Sequence, residues 1–194
     1  MMKNETFRLG LVLMVFTGAA ALLLAGFNLI TVPVIEAQQV EAELAAQQAV
    51  LPIASSFVDG QENMAVDLAD YPALEAVSVG LAESGEPVGL VMRLAPKGYG
   101  GPIKLMVGID QEGKIVGLQV LAHQESPGLG ANISKESFTS QFIGKDANAP
   151  LRVVKGTTTA EHDIVALTSA TISSQAVAEG INQALQLFCA GWGK

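Results

Sequence analysis

The longest uninterrupted hydrophobic run lies close to the N-terminus. Residues 9–35 are 27 residues without a charge. A helix needs about 20 such residues to cross roughly 30 Å of hydrocarbon. Because Pro33 and Glu36 mark the outer limit, the pattern predicts a spanning helix over about residues 9–31. A cleaved signal peptide is the alternative, but its apolar region is only about 7–15 residues long. We therefore interpret this run as an uncleaved anchor.

The pattern after the anchor predicts a helix and then two β-hairpins. Residues 36–50 are rich in Ala, Gln and Glu and predict a helix that Pro52 ends; its narrow apolar stripe is interrupted by Gln47 and Gln48. Four apolar, partly β-branched segments follow, in two pairs that each flank a Gly-containing turn. They predict a four-stranded antiparallel meander over residues 76–82, 88–94, 103–109 and 115–121.

The remaining elements are short until the C-terminal helix. Ser134 is predicted to cap a short helix through about Phe142, and residues 151–154 are predicted to form a fifth short strand. Apolar residues recur every three or four positions over residues 172–189, which predicts a helix. The fold class is α+β, with an N-terminal transmembrane helix followed by an antiparallel β-meander domain with flanking helices.

These elements predict three parts of the chain. Residues 1–35 are the cytoplasmic N-terminus and the transmembrane anchor. Residues 36–75 are a linker helix and lead-in, and residues 76–194 are an extracytoplasmic domain.

Charge distribution indicates both orientation and partners. Lys3 and Arg8 precede the apolar run, and no further Lys or Arg occurs before Arg93. Basic residues concentrate on the cytoplasmic side, so a single-pass topology with the C-terminal domain on the periplasmic side of a bacterial inner membrane is predicted. The net charge is −8, which argues against a nucleic-acid partner because phosphates would be repelled.

Cysteine and histidine are scarce. Cys189 is the single cysteine, so no intrachain disulfide or multi-thiolate metal site is possible. The two histidines, His123 and His162, do not have zinc-protease spacing. No metal site is predicted, and His123 is interpreted as a structural residue at a strand end.

Three segments outside the predicted strands could carry chemistry. They are PKGYGG (96–101), HQESPGLG (123–130) and LTSATISS (167–174). Gly lets the backbone approach a flat ligand or adopt positive φ. The third segment has several hydroxyls where a helix begins, and a phosphate there would face the N–H groups of Ser173 and Ser174. The alternative is plain capping of that helix by Thr171, with Gly-rich hairpin loops around it.

The third segment resembles a known modification motif. TSATISS is similar to the flavinylation motif of the FMN-binding domain, whose usual form is Asp-x-x-Thr-Gly-Ala-Thr followed by a hydroxyl pair. HQESPGLG and YGGPIKLMVGIDQEGKIVG resemble two preceding segments of that domain. The single anchor and the length resemble the G subunit of the Rnf (Rsx) ion-translocating electron-transport complex. The homologous C subunit of the sodium-pumping NADH:quinone reductase is usually longer.

This chain departs from the motif at two positions. Ser169 stands where the motif has Gly, and Val165 stands where it has Asp, although Asp163 lies two residues earlier. Thr171 and the preceding Ala170 match the motif.

The resemblance implies a covalent FMN site. FMN would be joined through its phosphate to Thr171, within a motif that includes Ser169, Ala170, Ser173 and Ser174. The isoalloxazine ring would lie against apolar and backbone surface, with two further residues at its edge. These ring contacts are Leu167, Thr168, Pro127, Gly128 and Leu129, with Glu125 and Tyr99 at the edge.

The resemblance also implies a function. The chain would be a membrane-anchored electron-transfer subunit of an ion-translocating ferredoxin/NAD oxidoreductase, a translocase subunit without complete activity alone. Its partners would be the other Rnf membrane and redox subunits, which hold the NAD and iron–sulfur sites, and a flavin transferase that uses FAD. Two alternatives stay open: an assembly or binding module with an empty flavin site, and a flavoprotein donor to another extracytoplasmic reductase.

Overall fold

The computed structural model describes residues 2–60, 70–158 and 160–192. Contacts between residues divide the chain into two units, one ending at Leu44 and the other beginning at Ala45. Residues 61–69, which belong to the predicted lead-in, lie outside the described residues.

The first unit is the greater part of one long helix, α1 (Met2–Val50). Its most apolar 18-residue window has a mean hydropathy of 2.3 and is not buried, so α1 is long and apolar enough to cross a membrane. The hydroxyls of Thr17 and Thr31 donate to carbonyl oxygens four residues earlier, both at 2.9 Å. Pro33 lies inside α1, so the predicted linker helix over residues 36–50 is continuous with the predicted span.

The second unit contains a five-stranded antiparallel meander in which each strand pairs with its neighbour in sequence. This confirms the predicted α+β class, and the four predicted strands are β2 to β5. The sequence pattern does not predict β1, because its four residues show no regular alternation of buried and exposed positions. The strands are β1 (Ser56–Asp59), β2 (Leu74–Leu81), β3 (Pro87–Leu94), β4 (Lys104–Asp110) and β5 (Ile115–Ala122).

The main core lies between the sheet and the C-terminal helix α3 (Thr171–Gly191). The helix buries residues at the expected spacing, including Val177, Ile181 and Ala184. Leu90 and Met92 of β3 are fully buried in the same cluster. The predicted C-terminal helix is confirmed.

A short helical segment closes one side of this core. Phe138 in α2 (Glu136–Thr139) and Phe142 in the following 3₁₀ turn are fully buried, and their rings meet edge to face at 5.4 Å. The predicted cap is wrong: Lys135 precedes α2, and the Ser134 hydroxyl instead donates to the Ala131 carbonyl at 2.8 Å.

The end of α1 packs into a notch made by two glycines on the sheet. Gly108 of β4 is paired with Gly117 of β5. A Cβ at Gly108 would lie 2.1 Å from the Val50 carbonyl oxygen, and one at Gly117 would lie 2.4 Å from the Val50 Cα. Gln47, which interrupts the apolar stripe in the sequence, is buried, and its Nε2 donates to the Ser78 hydroxyl at 3.2 Å. The two glycines therefore let backbone rest directly on the sheet.

The predicted fifth strand is present but does not join the meander. β6 (Arg152–Val154) pairs in parallel with β7 (Asp163–Val165) in a separate two-stranded sheet. Asp163 accepts a hydrogen bond from the Thr158 hydroxyl at 2.8 Å and pairs with the Arg152 guanidinium at 3.5 Å. Its carboxylate is therefore engaged at this sheet.

A second polar side-chain pair connects the segment before β7 to a neighbouring loop. Nε2 of His162 lies 3.0 Å from Oδ1 of Asp146. This hydrogen bond, with a further one from the backbone N–H of Asn148, holds the pKa of the Asp146 carboxyl below its usual value.

Candidate functional site

Residues from all three predicted loops meet around one cleft of about 530 Å³ in the second unit. The first loop contributes one residue, the second four and the third five. The lining residues are Tyr99, Glu125, Ser126, Leu129, Gly130, Ser169, Ala170, Thr171, Ile172 and Ser173.

The third loop enters the cleft through a tight turn. The Ala170 N–H donates to the Leu167 carbonyl at 3.0 Å, so residues 167–170 form a β-turn. Ser169, the third residue of this turn, has φ of +64° and is the one non-glycine residue with positive φ in the described part of the chain. A turn with positive φ at its third position favours Gly, because an L-residue there brings its Cβ into steric conflict. This geometry explains why the motif usually has Gly at this position.

Helix α3 begins immediately after the turn. Ala170 occupies the capping position and no side chain caps the helix, so capping by Thr171 is wrong. Thr171 is the first helical residue. The N–H groups of Thr171, Ile172 and Ser173 have no acceptor within the helix, as expected for a first turn.

Ser174 joins the turn to the helix. Its N–H donates to the Ala170 carbonyl at 3.1 Å, and its hydroxyl donates to the same oxygen at 3.0 Å. The hydroxyl also accepts from the Leu167 N–H at 3.0 Å. The N–H of Ser174 is therefore engaged, and an anion at the helix start would meet the amides of residues 171–173 instead.

The Thr171 hydroxyl is accessible from the cleft. The residue is half-buried, and its Oγ1 makes no hydrogen bond with any described residue. Ser173, two residues further along α3, is buried and donates its hydroxyl hydrogen to Glu125. Thr171 thus presents a free hydroxyl beside unsatisfied amides.

Glu125 lies buried in the cleft wall. It is 6% exposed and accepts hydrogen bonds from the Gly100 N–H at 2.9 Å and the Ser173 hydroxyl at 2.5 Å. Its own N–H donates to Nδ1 of His123, the residue immediately after β5, at 3.3 Å. His123 therefore supports the Glu125 backbone, in keeping with a structural role.

Apolar side chains surround the mouth of the cleft. Tyr99 is 73% exposed, Ile172 is 56% exposed and Leu129 is 47% exposed, although each is large. They come from three different loops and line the same cleft. Exposed apolar groups around a concave site are typical of a surface that covers an apolar ligand.

Five predicted site residues do not line the cleft. Thr168 is exposed in the turn before α3, and Ser174 is buried behind it. Pro127 and Gly128 are exposed within the Ser126–Leu129 turn. Leu167 packs against the main core.

Three lining residues are absent from the sequence prediction. Ser126, Gly130 and Ile172 each lie next to a predicted site residue, so proximity in sequence was the available signal. Ile172 follows Thr171 directly and begins the apolar repeat that predicts the C-terminal helix, yet its side chain is mostly exposed.

The residues present fit FMN. The cleft volume falls within the roughly 300–1,000 Å³ of ordinary ligand sites. One wall is the start of α3, where amides favour a phosphate. The mouth carries the apolar side chains that a flat ring system requires.

Comparison with known proteins supports this fit. Residues 98–186 match the family model of the FMN-binding domain. The G subunit of the Na⁺-translocating ferredoxin:NAD⁺ oxidoreductase complex of Acetobacterium woodii is 37% identical over 189 residues, covering 94% of this chain and 91% of the relative. The G subunit of the proton-translocating complex of Clostridium ljungdahlii is 32% identical, covering 95% of this chain and 92% of the relative.

Solved structures share the fold. NqrC of Shewanella oneidensis superposes with a TM-score of 0.54 at 21% identity, covering 72% of this chain and 70% of that one. The C subunit of the Na⁺-translocating NADH-quinone reductase from Parabacteroides distasonis has a TM-score of 0.52 at 25% identity, with 69% and 74% covered.

Proposed function

The chain belongs to the G subunits of ion-translocating ferredoxin:NAD oxidoreductase complexes, and we propose that it carries FMN covalently, through a phosphoester to Thr171. The observation that carries this proposal is the free Thr171 hydroxyl at the start of α3, inside a cleft that fits the cofactor. FMN supplies the redox chemistry, and the protein supplies binding, orientation and electrostatics.

The hydroxyls near Thr171 are poorer candidates for the tether. Ser173 and Ser174 are buried and hydrogen-bonded to other groups. Thr168 does not line the cleft. Ser169 does line it and is the nearest competitor, but it lies in the turn before the helix rather than at the helix start.

Each part of the cleft has a different task in this proposal. The amides of residues 171–173 would hold the phosphate, with the helix dipole adding about 0.3–1 kcal/mol when exposed and up to about 2 kcal/mol when partly buried. Tyr99, Leu129 and Ile172 would hold the ring and exclude water. Glu125 would form the polar part of the wall.

The proposal places ion movement on partner subunits. The relatives belong to complexes named for Na⁺ in one organism and for protons in another, although their G subunits are similarly close to this chain. Residues 9–35 contain no ionisable side chain, whereas ion pathways in membranes are usually marked by such residues. We therefore assign this subunit to electron transfer within a membrane complex, matured by a flavin transferase that uses FAD.

The direct test is the intact mass of the full chain after co-expression with a flavin transferase. The transferase would join the FMN phosphate of FAD to the hydroxyl and release AMP, so the expected result is a near-complete mass increase equal to FMN minus one water. Protein that stays unmodified beside an active transferase and FAD would instead favour a membrane-anchored assembly module with an empty site.

We predict a single-span topology with the N-terminus in the cytoplasm. In a Cys189→Ser background, Glu83→Cys lies in the exposed turn between β2 and β3 and should react with a membrane-impermeant maleimide in intact cells. Asn4→Cys is the matched control and should be protected until the membrane is opened. Protection at position 83, or a mature chain that starts after Ala21, would contradict the prediction.

Replacing Ser169 with Gly should stabilise the turn without changing the acceptor. Gly adopts φ of +64° without a Cβ conflict but loses more conformational entropy on folding, so we expect a net gain of roughly 0.5–1 kcal/mol. Denaturant unfolding measures this gain. Thr168→Gly, at the neighbouring negative-φ position, is the control and should destabilise.

The rate of flavinylation should respond only modestly to either motif departure. Mass spectrometry over time should show Ser169→Gly and Val165→Asp within a few-fold of wild type, because the turn already forms with Ser169 in place. If wild type is barely modified while either variant is fully modified, the flavin site of the natural sequence is degenerate.

A further inference from the structure

One carboxylate connects all three loops of the cleft. Glu125 belongs to the second loop, accepts from Gly100 of the first and accepts from Ser173 of the third, where α3 begins. It is buried, and no Lys, Arg or His among the described residues forms a salt bridge with it. Burying a charged group costs free energy unless hydrogen bonds satisfy it, so this position requires an explanation.

The glycines of the first two loops make room for this side chain. A Cβ at Gly98 would lie 2.4 Å from Oε1 of Glu125, and one at Gly130 would lie 2.5 Å from Oε2. At Gly100 it would lie 2.1 Å from the Gln124 carbonyl oxygen. These glycines are therefore needed for close approach to residues 124 and 125, whatever ligand the cleft holds.

We propose that Glu125 is a positioning residue that holds the start of α3 and the first loop together at the cleft, and that its negative charge lowers the reduction potential of the bound flavin. This inference rests on the proposed function for its second part only. The first part concerns contacts within the protein.

The electrostatic part follows from the position of the carboxylate. Reduction adds electrons to the flavin ring, and a fixed negative charge in the wall of the same cleft opposes that addition. The effect is larger in a cleft that excludes water, because Coulomb interactions are less screened there. The amides at the start of α3 have the opposite sign, but they face the phosphate rather than the ring in this proposal.

The positioning part is tested by hydrogen exchange of the full chain in detergent without flavin. Glu125→Ala removes the acceptor of the Gly100 N–H, so that amide should exchange about tenfold faster or more. Glu125→Gln retains an oxygen for this bond and should stay close to wild type. Glu179→Gln removes a charge on the exposed side of α3 and is the matched control. Unchanged exchange at Gly100 in Glu125→Ala would overturn the positioning role.

The charge is tested by redox titration of flavin-loaded protein. Glu125→Gln keeps the shape of the wall but removes the charge, so the midpoint potential, measured on the flavin-loaded fraction, should rise. Glu179→Gln should leave the potential unchanged. A potential in Glu125→Gln equal to that of wild type would overturn the electrostatic role. Failure of wild type to acquire FMN would count against the proposed function, and the exchange experiment would still decide the positioning role.

Discussion

Thr171→Ala is expected to abolish covalent FMN while leaving the domain folded. The substitution removes the one hydroxyl at the first position of α3 and leaves the helix amides in place. Since Oγ1 of Thr171 bonds to no other described residue, its loss breaks no internal hydrogen bond. Ala is also the best helix former, so the helix start should not be weakened. In-gel flavin fluorescence after denaturation and intact mass measure the result.

Two matched variants make this experiment specific. Thr171→Ser keeps a hydroxyl at the same position and should still be modified. Thr168→Ala removes the neighbouring exposed hydroxyl and should be modified like wild type. If fluorescence from covalently bound flavin persists in Thr171→Ala, the attachment residue is not Thr171. Ser169 would then be the first residue to test, because it lines the same cleft.

Gly117→Ala is expected to lower the free energy of unfolding of the second unit by about 3 kcal/mol, at the upper end of ordinary overpacking effects. The added Cβ would lie 2.3 Å from the Val50 carbonyl oxygen and 2.4 Å from its Cα. Both contacts are with backbone, which cannot change rotamer to relieve them. Gly108, the partner of Gly117 in the sheet, lies against the same Val50 carbonyl. A shift of Val50 away from β5 is therefore limited by its contact with β4.

Denaturant unfolding of the full chain in detergent measures this change. Trp192 is the single tryptophan, packs near Phe188 at a ring distance of 6.4 Å and reports on the core around α3. Gly26→Ala is the control, because a Cβ there meets nothing within 4 Å and should leave this transition unchanged. A loss below about 1 kcal/mol in Gly117→Ala would mean that the end of α1 can move off the sheet at little cost, since overpacking normally costs more.

Val50 is the last residue of α1, and its backbone rests on the paired glycines Gly108 and Gly117. Its own side chain is buried in a second apolar cluster with Leu51 and Met106. The glycine notch and this cluster together hold the end of α1 on the sheet.

Local sequence patterns were sufficient to predict the elements whose hydrophobic pattern extends over many residues. The uncharged run over residues 9–35 exceeds the length of a membrane span, and α3 repeats its apolar positions over five turns. The hairpins β2–β3 and β4–β5 were predictable because each turn contains Gly, at Gly85 and Gly113, and both have positive φ.

Elements that depend on a distant partner were not predictable in the same way. Strand β1 has four residues and exists because β2 offers its edge. The sequence predicts β6 as a fifth strand after the meander. In the structure it pairs in parallel with β7, which has only three residues. Choice of partner is a tertiary property, since hydrophobic pattern specifies which face is buried but not which edge is available.

The sequence alone predicted which loops meet at one cleft, because hydroxyls and glycines concentrate in these three segments. It also singled out Thr171 through the motif. Only the tertiary structure shows which contacts the residues around Thr171 make. Ser169 replaces Gly at a position where the turn has positive φ, and Gly98, Gly100 and Gly130 allow close approach of Glu125 and its neighbour Gln124. A glycine in a sequence indicates close approach or unusual φ, but what approaches is decided by chain segments far away along the sequence.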